Sequence, residues 1–102
     1  MATVRRTGAR EIAYAFATEA SKEPAVEKLW LSEDRGDAVL WLLTRPIDMD
    51  EELRLHGLVG IIHDRFPDAR LDFHLINPHR RDDLRLLDVI PAEAVEIDLA
   101  GR

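Results

Sequence analysis

AVLWLLTRPIDMDEELRLHGLVGIIHDRFPDARLDFHLIN, residues 38–77, reads as strand, helix, strand. The run 38–44 is apolar on both alternating faces, with Val39 and Trp41 among its residues. Such a run marks a strand in the middle of a sheet and predicts Trp41 almost fully buried. From 48 to 66 the period becomes helical, and Leu55, Leu58, Val59, Ile62 and Phe66 fall on one face. Asp48 with Glu51 three residues on fits a capping box, and Asp50, Glu51 and Glu52 complement the positive end of the helix dipole. Pro67 pushes the residue before it out of helical geometry, which ends the helix near Arg65 or Phe66. Gly57 and Gly60 are read as letting this helix approach the sheet closely. The run 69–77 alternates, with Leu71, Phe73 and Leu75 pointing one way and Asp72, His74 and Ile76 the other. Asn77-Pro78 ends it. A right-handed crossover through the helix sets the two flanking strands parallel.

Upstream, AREIAYAFATEASK (9–22) carries Ile12, Phe16 and Ala20 at four-residue spacing, flanked by Ala13 and Ala17. That is a narrow apolar stripe on a helix, with Thr7 or Gly8 as its cap and Pro24 beyond its end. AVEKLWLSE (25–33) alternates as a strand, with Val26, Lys28 and Trp30 on one face and Glu27, Leu29 and Leu31 on the other. Glu33-Asp34-Arg35-Gly36 then signals a hairpin into the central strand. Downstream, residues 79–83 form a charged loop or single turn, and Leu84, Leu86, Leu87, Val89 and Ile90 are apolar without a period. AVEIDLA (94–100) alternates as an edge strand does. The expected class is α+β, or small α/β, in the order α-β-β-α-β(-β), with two main helices and a mixed sheet of three or four strands. One domain is expected over 1–102, with 1–8 and 101–102 as loose termini.

Three positions carry a resemblance. Trp30-Leu31-Ser32 closes the first strand, Asp37-Ala38-Val39 opens the second, and Asp72 lies on the third. In element order and in these positions the chain resembles the minimal nucleotidyltransferase domains found in bacteria beside toxin–antitoxin genes. In that family a Gly-Ser pair closes the first strand, an Asp-x-Asp pair opens the second to hold magnesium, and a third acid follows on the third strand. Ser32 matches and Asp37 keeps one acid of the pair, while Asp72 lies where the third carboxylate would be placed. Leu31 stands for the glycine and Val39 for the second aspartate, so the resemblance, over residues 10–77, is one of element order with one or two motif positions. Valine cannot ligate a metal, and Leu31 restricts the close backbone approach to phosphate that glycine permits. The resemblance therefore implies a frame without catalysis. A ferredoxin-like or other small α+β domain has the same element order.

Composition narrows the function further. Among 102 residues, 46% are hydrophobic and 33% charged, enough apolar mass for a core and too much for disorder. Twenty acidic against fourteen basic residues give a net charge of -6, which argues against nucleic acid as a partner. Cysteine is absent, so thiolate chemistry and Cys-ligated metals are excluded. No apolar run is long enough to cross a bilayer and no signal core follows the first arginines, so a cytoplasmic protein is expected. Arginine outnumbers lysine heavily, as codon usage in a GC-rich bacterial genome would produce.

Few residues remain that could carry chemistry. His56 and His63 are seven apart on the helix, about 10 Å along its axis, too far for one metal ion. Ser32 and Thr44 have no His–Asp partner at a recognisable spacing. Asp72 and His74 share a strand face, and His79, Arg80 and Arg81 follow the strand end, where ligands gather in open α/β sheets. Those five residues are the candidate ligand site, with forked donors for an anion and titratable imidazoles beside a carboxylate. No catalytic residue, metal or cofactor is assigned. The expected function is a non-catalytic interaction or regulatory module, as a homodimer or with another protein. The alternative is a small enzyme, or a protein binding a nucleotide or another anion, with its site at the end of the third strand.

Overall fold

The computed structural model describes residues 7–80 and 86–99, without the side chains of Arg80, Leu86 and Leu87. The elements run α1 (Ala9–Ala20), β1 (Val26–Asp34), β2 (Asp37–Thr44), α2 (Met49–Arg65), β3 (Leu71–Ile76) and β4 (Val95–Ile97), with short 3-10 turns at Pro78–Arg80 and Leu86–Val89. One mixed sheet has the order β3-β2-β1-β4. β2 pairs antiparallel with β1 and parallel with β3, and β4 adds antiparallel to the other side of β1. The fold is α+β, with two α-helices and four strands among the described residues, as the alternation of helical and extended periods predicts.

Local chemistry explains each element. Along α1, Ile12, Ala13, Phe16, Ala17 and Ala20 are all buried, which is the four-residue stripe in three dimensions. Thr7 and Gly8, assigned to a loose terminus on sequence grounds, are tied down. The Thr7 backbone N–H and hydroxyl each donate to the Asp68 carboxylate at 2.9 Å, and the Gly8 carbonyl accepts from Ile12 N–H. In the β1–β2 hairpin Asp34 faces Asp37, so two residues make the turn. Arg35 (φ 54°) and Gly36 (φ 85°) both occupy the left-handed region, as a type I′ turn requires for its twist to match the strands. At α2 the Asp48 side chain accepts from Glu51 N–H at 2.9 Å, the first half of a capping box.

Both helices pack on the same face of the sheet. α1 lies against β1, β2 and α2, while α2 lies over β3. Leu29, Leu31, Leu40 and Leu42 from the strands join Ile12, Phe16, Leu55, Leu58 and Ile62 from the helices in one core. Arg54 reaches Glu23, and Arg65 reaches Glu19 at 3.8 Å, along the seam between the helices. No α-helix among the described residues covers the opposite face of the sheet.

Three expectations are corrected. Trp41 is half-buried rather than enclosed, because it lies on the face without helices while its neighbours Leu40 and Leu42 enter the core. Val26 does not share a face with Lys28 and Trp30. A bulge between Val26 and Lys28 inserts an extra residue into β1 and turns Val26 into the core, at 1% exposure. Gly57 and Gly60 do not bring α2 towards the sheet: both are exposed, and a Cβ at either meets nothing within 4 Å. Glycine is therefore a plain loss of helix propensity at Gly57. Gly57→Ala is expected to raise stability by about 1 kcal/mol in urea unfolding, and a decrease would show that the position has a neighbour.

Candidate functional site

The face without helices is organised in rows. The register aligns Glu96, Trp30, Trp41 and His74 across the four strands, and Ser32, Val39 and Asp72 in the next row. Strand pleating turns all seven side chains away from the core. His74 lies flat on Trp41, with ring centroids 4.3 Å apart and planes inclined by 15°. Its Nε2 is 3.0 Å from Asp72 Oδ2, and Trp41 Nε1 donates to Ser32 Oγ at 3.0 Å. The result is a polar string, Ser32–Trp41–His74–Asp72, laid over a half-buried tryptophan. The predicted pairing of Asp72 with His74 is thus present. It is open to solvent, with 66% of the Asp72 and 44% of the His74 side chain exposed, so the pair adds little to stability.

The other predicted residues are not drawn into that pair. The His79 backbone N–H donates to Asn77 Oδ1 at 3.1 Å, and its exposed ring makes no hydrogen bond or ion pair among the described residues. Arg81 and the side chain of Arg80 lie outside the described residues.

Asn77, read from the sequence only as a strand end, is the residue that positions this corner. It is buried, accepts from Ile47 N–H at 3.1 Å, and donates to Ile47 O at 2.9 Å and Glu52 Oε2 at 3.1 Å. One amide therefore ties the end of β3 to the loop before α2 and to the first turn of that helix. The signal available was an asparagine directly after an apolar strand and before a proline, a pattern that serves exposed turns equally well.

Two of the open grooves formed by the described residues lie near the sequence-derived candidates. The larger, about 580 Å³, runs beside β4 and is lined by Arg10 and Tyr14 and by the carboxylates of Glu33, Glu93, Glu96 and Asp98; none of the predicted site residues enters it. The smaller, about 370 Å³, wraps the outer side of β3 and takes in Trp41, His56, Phe73, His74 and Val89. An imidazole held by a carboxylate can accept or deliver a proton. Ser32 Oγ, however, is engaged by an indole N–H rather than by His74, so no serine nucleophile is set up on this face. Among the described residues no group of three or more His, Asp or Glu side chains is placed to hold a metal ion. No helix among them is long and apolar enough to cross a membrane. No protein-family model, curated protein or solved structure matches the chain.

Proposed function

We propose that the domain is a non-catalytic interaction module, a homodimer in the cytoplasm, built on a nucleotidyltransferase-like frame that no longer transfers nucleotides. The observation that supports this reading is the row Ser32–Val39–Asp72. The positions that the resemblance assigns to the serine, to one metal-binding aspartate and to the third acid are direct cross-strand neighbours on the open face. Val39 occupies the middle of that row with 8% exposure. An apolar side chain thus lies beside Asp72 where a two-metal site needs a second carboxylate. Ser32 is in turn occupied by Trp41. What remains of the row favours contact with a surface over chemistry on a phosphate.

Incubation with labelled nucleoside triphosphates, magnesium or manganese and acceptor substrates is expected to yield no adduct. Labelling that disappears in Asp72→Ala would overturn the reading. A second reading, a nucleotide- or anion-binding protein, draws on the Asp72–His74 pair at 3.0 Å. Thermal shift separates the two, since a ligand bound only by the folded state raises apparent stability by RT ln(1 + [L]/Kd). Magnesium with nucleotides, or inorganic phosphate, is expected to leave the melting point where it is. A rise that His74→Ala removes would favour the second reading.

A further inference from the structure

The geometry points to the outer edge of β3 as a self-complementary dimer interface, with a second copy of this chain adding as an antiparallel strand whose Phe73 faces Phe73 of the first. The inference deepens the interaction reading above by naming the partner and the register.

β3 ends the sheet, and no segment among the described residues hydrogen-bonds to its outer side. Ala38 N–H donates to Arg70 O, so the backbone of Arg70 addresses β2. By alternation the backbones of Asp72, His74 and Ile76 do so too, and the N–H and C=O groups of Leu71, Phe73 and Leu75 point outward. A row of unpaired strand groups is a template for another strand. In the register centred on Phe73, Leu71 faces Leu75 of the second copy and Phe73 faces Phe73. These half-buried side chains complete one another on the helix side. On the open side Asp72 faces His74 of the second copy, in pairs without backbone bonds, where side chains approach most closely. Sliding by one pleat in either direction sets Asp72 against Asp72, or His74 against His74. The hydrogen bond that Asp72 makes with a facing His74 is lost in both slid registers, and one of them sets two carboxylates together, so one register is selected.

An independent feature lies on the same side of the molecule. One flank of α2 meets α1 through Arg54–Glu23 and Arg65–Glu19. The flank over β3 carries His56, whose ring stands edge-on to Phe73 at 5.2 Å, and near it Met49, Leu53 and Gly60. Met49 is 54% and Leu53 65% exposed, an apolar overhang left largely uncovered by the described residues. A two-fold axis through the Phe73 pair sets the two α2 helices antiparallel beside each other, with Leu53 of one near the level of Gly60 of the other. The missing Cβ at Gly60 then has a use that the monomer does not supply. The joined sheets would present two Trp41–His74 stacks on one continuous open face.

The chain has no cysteine, so introduced thiols report cleanly. An equal mixture of full-length Asp72→Cys and His74→Cys chains, oxidised after subunit exchange, is expected to give a disulfide-linked species of twice the chain mass, because facing strand positions lie within disulfide reach. Either variant alone should cross-link far less. Leu53→Glu, at an exposed position that leaves the monomer fold intact, is expected to raise the dissociation constant of the dimer about tenfold or more by sedimentation equilibrium. Self-cross-linking of one variant above the mixture would overturn the register. A parent that sediments as a monomer at every concentration, or a Leu53→Glu variant that dimerises as the parent does, would overturn the interface. A monomeric parent would overturn the homodimer in the reading above as well, while a failed register or a Leu53→Glu variant that dimerises as the parent does would leave the homodimer standing. Nucleotidyl transfer by the parent would overturn the non-catalytic reading whether or not it dimerises.

Discussion

Phe16→Ala is expected to destabilise the domain by about 3–5 kcal/mol in chemical unfolding. Phe16 is wholly inaccessible to solvent and meets the ring of Phe73 at 5.3 Å, so it joins α1 to the strand at the far side of the sheet. Its removal leaves a cavity that Leu40 and Leu55, both fully enclosed themselves, cannot move to fill without losing their own contacts. Folded domains of this size have about 5–15 kcal/mol of total stability, so the variant loses a large fraction of it and is expected to unfold at a clearly lower denaturant concentration than the parent. Trp41→Ala removes a larger side chain and is nevertheless expected to matter less, about 2 kcal/mol. One side of that indole faces solvent, and the losses are its stack on His74 and its bond to Ser32. Equal losses in the two variants would mean that the open face is covered in solution.

That comparison marks where the sequence is legible and where it is not. Periodicity identifies β2 as central because both alternating sets along 38–44 are apolar, and it is central: β1 and β3 flank it. Period two says nothing about what lies above each set. Leu40 and Leu42 enter a core made by two helices, while Trp41 and Leu43 form half of an open platform. The character of the strand therefore predicts a burial of Trp41 that its surroundings do not supply. The bulge at Val26 leaves no mark in the sequence for a related reason. An inserted residue changes the phase of an alternation, and the short stretch before Leu29 carries too few residues to reveal the break. The Asp72–His74 pair was legible because two residues apart on a strand means the same face, whatever the fold. The placement of His79 depends on how the chain leaves β3, which local periodicity does not encode.

The exit of the chain from β3 rests on Asn77, and Asn77→Ala is expected to destabilise the domain by about 3 kcal/mol. The amide is one of the few buried polar side chains, and it satisfies both the N–H and the C=O of Ile47. Ile47 is itself buried, so its two backbone groups would lose their partner where water has little access. An unsatisfied buried group costs about 1–3 kcal/mol, and two are created here, relieved in part by whatever water enters the vacated volume. Asn77→Asp separates the lost donor from the lost volume. The aspartate retains an oxygen to accept from Ile47 N–H and His79 N–H, but sets a carboxylate against Ile47 O and the Glu52 carboxylate, where the amide donated. Like charge and a missing donor act together at a buried position, so Asn77→Asp is expected to be at least as unstable as Asn77→Ala at neutral pH. The same comparison bears on the site, because Asn77 joins β3 to the loop before α2 and holds the backbone N–H of His79. In both variants, made in a Trp30→Phe background so that Trp41 is the sole tryptophan, the emission that reports the His74 stack should change under conditions where the protein remains folded. An aspartate variant as stable as the parent, with unaltered Trp41 emission, would show that the corner is held by packing around Ile47 and not by the amide.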